Sequence, residues 1–200
     1  MNSEKKILER YEKENNRYII QISSNTFRDL FNKYDRVSSF IKRDLNSDFA
    51  EYLYESATDL YGRDFYVCLN LHTEEQSDEL EDKVNKGIDN YFEYERNIVD
   101  TKRKQVVKKI IIHVLLAIVC FFISFTFNKI IIIDSFLHML FVESLVIAAW
   151  VLMWPVFSDF FYELFKIRQT KNIYNKIIDA ELKFNYINVS KKMNTHLTND

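Results

Sequence analysis

The sequence predicts a membrane protein, a two-helix transmembrane hairpin with a small cytosolic α/β domain built from segments on both sides of the hairpin. Three observations predict it. Two apolar runs, 110–127 and 136–157, are each long enough to cross a bilayer. Basic residues crowd the outer ends of both runs and nearly vanish between them. Segments with strand character lie both before the first run and after the second. The chain has only 2 Gly and 1 Pro in 200 residues, which excludes Gly-rich phosphate loops and favours long helices.

Residues 1–17 form a charged lead, expected as a frayed helix. They contain no apolar core of a secretory signal, so the chain is expected to begin in the cytosol. Residues 18–105 form the cytosolic α/β part, ending in a long helix. Within it, 18–23 (YIIQIS) reads as a strand and 26–33 as a short helix capped by Asn25. Residues 48–61 repeat Phe49, Leu53, Ala57 and Leu60 at helical spacing, and Gly62 is placed to end that helix. Residues 65–71 (FYVCLNL) alternate strictly, with Phe65, Val67, Leu69 and Leu71 on one face. From Glu74 a helix begins, striped by Leu80, Val84, Ile88, Tyr91 or Phe92, and Ile98. Nothing breaks it before the first apolar run, so one helix is expected to continue into the membrane.

The first span, 110–127, has no formal charge beyond that of His113, and 18 residues cover roughly 27 Å at 1.5 Å each. The second span, 136–157, has one acid, Glu143. Two buried helices of a soluble core are the alternative, but such helices rarely run so long without a polar face. Residues 128–135 make the connecting loop, with Ile130 to Ile133 dipping into the interface. The loop is expected in the periplasm and both termini in the cytosol, because Lys102, Arg103, Lys104, Lys108 and Lys109 precede the hairpin and Lys166, Arg168, Lys171 and Lys176 follow it. Trp150 and Trp154 suit an interfacial aromatic belt, with Lys108, Lys109 and Arg168 on the same side. Pro155 can end or kink the second helix. Residues 158–189 then give an amphipathic helix and a strand (181–189, ELKFNYINV) that completes the sheet begun before the membrane. The tail 190–200 is expected to be disordered.

The segments FRDLFNKYDRVSSFIKRDLNSDFAEYLYESA, DFYVCLNL and WVLMWPVFSDFFYELFKIRQTKNIYNKIIDAEL stand in this order between Ile19 and Leu182. In that order they resemble an uncharacterised family of bacterial two-transmembrane proteins with a cytosolic α/β domain. The family pattern tends to have prolines near Ser39 and Lys166, and this chain has neither. The resemblance implies a two-span protein and supplies no activity. The architecture also resembles the two-transmembrane effectors of anti-phage systems of the retron type. That likeness implies an inner-membrane protein that damages the membrane when a partner senses infection.

No catalytic constellation is found. His72 with Glu74 and Glu75 lacks a second His or Cys at ligand spacing, and a strand end followed by an acidic helix start explains it. Arg43 and Asp44 read as a structural ion pair or cap. Cys68 and Cys120 read as buried thiols rather than a disulfide or metal pair. No enzyme, cofactor or metal is therefore expected, and a net charge of −2 with no stacking pattern gives no reason to expect direct nucleic-acid binding.

The polar residues of the spans carry the remaining signal. Glu143 lies about 10 Å deep, where an ionisable group faces either a partner or water. One reading makes it a pore or assembly contact between protomers; the other makes it a protonated acid hydrogen-bonded inside one hairpin, at the level of Ser124 and Thr126, or one reaching the outer surface. Ser144 and Ala148 form a small-xxx-small face that allows close helix contact. Asp159 and His113 read as interfacial. The expected function is a non-enzymatic, oligomerising, membrane-perturbing effector of a bacterial defence (abortive infection) system, held in check by a cytosolic protein or ribonucleoprotein partner. The alternative is a membrane-anchored scaffold or regulator whose cytosolic domain binds another protein. Its immediate partners would be the lipid bilayer and further copies of the chain, since two spans cannot enclose a channel.

Overall fold

The computed structural model describes residues 2–35, 44–73, 76–130 and 136–187. They divide into a sheet unit, Met1–Asn97 with Asn172–Asp200, and a hairpin unit, Ile98–Lys171. The charged lead is only partly helical. Helix α1 spans Asn2–Leu8, and strand β1 follows at Glu12–Glu14. A two-residue turn of Asn15 and Asn16, both in the left-handed region (φ 48° and 67°), folds β1 back antiparallel onto β2, Arg17–Ser24. Asparagine tolerates that conformation and its twist suits a tight hairpin, which is why the polar lead enters the sheet.

After β2 comes a single 3-10 turn, Phe27–Leu30, where a longer helix capped by Asn25 was expected. Its cap is Thr26, whose backbone N–H donates to Asp29 Oδ2 at 3.0 Å. Helix α2, Ser47–Asp59, starts at Asn46, which accepts from the Asp48 N–H at 2.9 Å. Gly62, at φ +82°, then turns the chain into β3, Phe65–Leu71. Strand β4, Leu182–Tyr186, pairs in parallel with β3, with Leu182 opposite Val67 and Tyr186 opposite Leu71. The four strands form one mixed sheet in the order β1-β2-β3-β4. The strand expected to run to Val189 thus ends at Tyr186; residues 190–200, expected as a disordered tail, lie outside the described residues, as does Arg43.

One face of the sheet is apolar and covered. Ile20, Ile22, Val67, Leu69 and Leu71 are buried against Phe49, Leu53 and Ala57 of α2, Val84, Ile88 and Phe92 of the third helix, and Ile173 and Ile177 of the last. Each fully buried side chain of this size contributes roughly 1.5–3 kcal/mol. The opposite face is polar. Tyr66 is covered there by the Arg17 guanidinium and the Lys183 ammonium, 5.2 and 4.1 Å from its ring centre, and donates to Glu14 Oε2 at 2.5 Å.

Helix α3, Asp78–Ile130, is unbroken over 53 residues, and its first turns carry the i,i+4 pairs Glu79–Lys83 and Asp82–Lys86. It begins later than Glu74, which lies outside the described residues. Helix α4, Phe136–Ser158, contains Pro155 without ending there. A π-helical turn, Asp159–Glu163, follows it, and α5, Leu164–Ile178, continues from that turn. The apolar stretches of α3 and α4 are long and apolar enough to cross a membrane. Only 11% and 6% of those stretches is buried within the protein.

Two predictions follow from the sheet. Ending the chain at Ala180 removes β4 and the burial of Leu182, Phe184 and Tyr186, a loss of about 4 kcal/mol. The shortened protein should lose the protease resistance of residues 1–97; unchanged resistance would show that β4 is dispensable. The second concerns alkali. The hydrogen bond to Glu14 holds Tyr66 up to about 12, burial holds Tyr174 up to about 12, and burial with the Glu81 contact raises Tyr186. A raised folded-state value contributes stability below the ordinary value of 10.0, and that contribution disappears as pH climbs through about 12. Tyrosinate absorbance should therefore appear above pH 10 together with loss of sheet circular dichroism. Complete tyrosine titration near 10 with an intact sheet would contradict it.

Candidate functional site

The hairpin unit is held by small residues at heptad spacing. Ala117 and Ser124 of α3 and Ala149 of α4 are buried, with relative exposures of 2%, 4% and 0%. Ser124 Oγ donates to the Val142 carbonyl at 3.1 Å, and Ala149 stands seven residues beyond Val142 as Ala117 stands seven before Ser124. Small side chains at these levels let two helices approach closely, and the hydroxyl satisfies itself on the facing backbone. Nearer the loop, His138 Nε2 lies 3.3 Å from the Phe127 carbonyl and the Phe127 and Phe141 rings are 5.3 Å apart.

This packing sends Glu143, Ser144 and Ala148 outward. All three are exposed on α4. Ser144 Oγ turns back to the Leu140 carbonyl of its own helix at 2.7 Å, and Thr126 does the same to Phe122 at 2.8 Å. Neither Ser124 nor Thr126 therefore serves Glu143, which has no hydrogen-bond or ion-pair partner among the described residues. Its neighbours on the outward strip are Leu140, Ile147 and Val151, each about half or more exposed. A carboxyl group thus stands alone on an apolar face, flanked one turn on by the small residue Ala148.

Ion pairs join α3 to the chain beyond α4. Lys171 Nζ donates to both oxygens of Asp100 at 2.7 and 2.8 Å, Lys102 lies 3.7 Å from Glu163, and Lys109 lies 3.0 Å from Asp159. Asp159 is 9% exposed, and its Oδ2 faces the Lys109 ammonium at an angle outside hydrogen-bond geometry. Asp159, read from the sequence as interfacial, is thus a buried acid of the helix pair, and Lys109 is its counter-ion. The π turn carries these acids on one side, while Phe160, Phe161 and Tyr162 are exposed on others. Trp150 and Trp154 are also exposed, at 61% and 72%, as are Lys108 and Arg168.

His72 Nε2 lies 2.9 Å from Ser23 Oγ on the exposed end of the sheet. Burial pushes the Cys68 thiol up, which keeps it protonated and a poor nucleophile. Cys68 and Cys120 are both free. Among the described residues no three His, Cys, Asp or Glu side chains gather as a metal site.

The Lys109–Asp159 pair gives a third prediction. Lys109→Met leaves the buried Asp159 without its counter-ion and should cost about 1 kcal/mol, since half of the Lys109 side chain is open to solvent, whereas adding Asp159→Leu should recover most of that loss. Thermal stability of the detergent-solubilised protein measures it; additive losses would show that the two side chains do not interact. No protein-family model, curated protein or solved structure matches this chain, so its function is read from these side chains.

Proposed function

We propose that this chain is a bacterial inner-membrane protein whose two apolar helices span the bilayer, with both termini in the cytosol, and which associates with further copies of itself through the Glu143 strip of α4. The observation that carries the reading is the exposed, unpartnered Glu143 on an apolar helix face. An acid at such depth costs roughly 2–3 kcal/mol by insertion scales, which one helix tolerates but a lone hairpin never recovers. A second copy recovers it: the carboxyl finds a hydroxyl or backbone carbonyl across the contact, and Ser144 and Ala148 let the helices close. Exposed Trp150 and Trp154 with Lys108 and Arg168 suit the cytosolic interface and its anionic lipid.

On this reading the assembled helices perturb the membrane, and the sheet unit is the part that a cytosolic partner restrains. The defence role is supported by architectural resemblance to two-span anti-phage effectors. A membrane-anchored scaffold is the second reading, favoured by the polar face of the sheet, where Gln21, Ser23, Lys183 and Asn185 are exposed.

The fourth prediction separates them. Induced expression should depolarise cells, and crosslinking in membranes should give oligomers. Glu143→Leu should insert as well as the parent yet abolish both signals, while Glu143→Gln, which keeps hydrogen-bonding capacity, should be milder. Oligomers without depolarisation would favour the scaffold. Full activity and full crosslinking in Glu143→Leu would remove this residue from the site.

A further inference from the structure

We propose that the sheet unit binds an extended, lysine- or arginine-bearing peptide segment of a partner protein, added as a strand along the free edge of β2. This goes beyond the membrane reading and does not depend on it, because every residue involved lies in the sheet unit.

The edge follows from register. The Tyr18 N–H donates to the Asp64 carbonyl and the His72 N–H donates to the Ser24 carbonyl, so the even residues of β2 face β3. The odd residues face the other way. Arg17 and Ile19 meet Glu14 and Glu12 of β1 there. Strand β1 stops at Glu12, whereas β2 runs on to Ser24. The backbone groups of Gln21 and Ser23 therefore lie on the same edge beyond the end of β1, and both residues are exposed. An edge of this kind is a template for another strand.

The edge is also walled. Beside it lies a groove of about 560 Å³, bounded by β2, the turn after it, and the first turns of α2. Its apolar floor is Ile22, Leu30 and Phe49, which suits alternate side chains of an extended segment. Tyr52 reaches across from α2 and donates to the Gln21 carbonyl at 3.3 Å, so one edge acceptor already takes a donor from outside the sheet.

Charge selects the occupant. Among the described residues that line the groove, the charged side chains are Asp29 and Asp48, both exposed, beside the Tyr52 phenol. Two copies of this chain pairing edge to edge would set these acids against each other. A partner strand with Lys or Arg at alternate positions would instead meet them with opposite charge.

The test uses the full chain in nanodiscs of zwitterionic lipid and a fluorescent decapeptide of alternating lysine and valine, with the glutamate–valine peptide as comparator. The lysine peptide should bind about tenfold tighter than the glutamate peptide, and Asp29→Asn with Asp48→Asn should erase that preference. Amide exchange at Gln21 and Ser23 should slow when the peptide binds. Ser23→Pro removes an outward N–H without touching the β2–β3 ladder, and should abolish binding while leaving exchange of β3 unchanged. Equal binding of both peptides, no protection at Gln21 and Ser23, or protection that grows with protein concentration in the absence of peptide would each overturn the proposal. The aspartate variants and the exchange measurement decide it even if Ser23→Pro does not fold.

Discussion

The parallel ladder between β3 and β4 is the interaction on which the rest depends. Asn70 and Asn185 stand 115 residues apart in sequence, and their side chains hydrogen-bond at 2.8 Å. Everything between them must leave the sheet and return before β4 can pair. A flexible connection of that length would carry a large closure entropy, and it would make the sheet slow to form. Two helices that fold back on each other remove most of that freedom. Asp100 and Lys171, near the two ends of the hairpin unit, meet at 2.7 Å, so the hairpin delivers its own ends close together. The apolar helices are therefore also a structural part of the sheet unit's folding. Closing the hairpin turns a distant strand pairing into a nearly local one.

Much of this was legible in the sequence, for identifiable reasons. Strand β3 shows strict alternation, and its expected and observed limits coincide at Phe65–Leu71. The continuity of α3 was readable because no breaker interrupts it. Strand β1 was missed because Glu12–Glu14 is short, charged and exposed; its only signal is the Asn15–Asn16 pair that turns it onto β2. The cap fell on Thr26 rather than Asn25 because the capping box needs an acid three residues on, and Asp29 occupies that position relative to Thr26. The small residues of the two apolar runs were visible, but their roles were not. Ser144 and Ala148 make a familiar spacing, yet Ala117, Ser124 and Ala149 hold the hairpin. Spacing on one helix cannot say which face its neighbour takes; only antiparallel alignment of both runs makes the heptad match visible. The groove beside β2 had no sequence signal, because Asp29, Asp48 and Tyr52 converge only through the turn after β2.

The acids of α4 and the π turn separate two roles that look alike in sequence. Asp159 is nearly buried and has Lys109 at 3.0 Å. Glu143 is exposed and has no partner among the described residues. Removing Lys109 would leave Asp159 buried without its counter-ion, so the acid is accounted for within the hairpin and says little about function. Removing an unpartnered acid from an apolar face should stabilise an isolated hairpin. An acid retained at the expense of hairpin stability is therefore better explained by something outside the hairpin.

The same reasoning ranks the cations. Lys171 is committed to Asp100, Lys109 to Asp159 and Lys102 to Glu163. Exposed pairs of the Lys102–Glu163 kind contribute from nothing to about 1 kcal/mol, so the set cannot be what stabilises the fold. Its effect is on register, because sliding one helix past the other by a single turn would separate all three pairs at once. The small residues set how close the helices come, and the charges set which level meets which. With three of the basic residues near the hairpin's ends engaged in that way, register is fixed from within the hairpin, and Glu143 stands on an apolar face without a partner among the described residues.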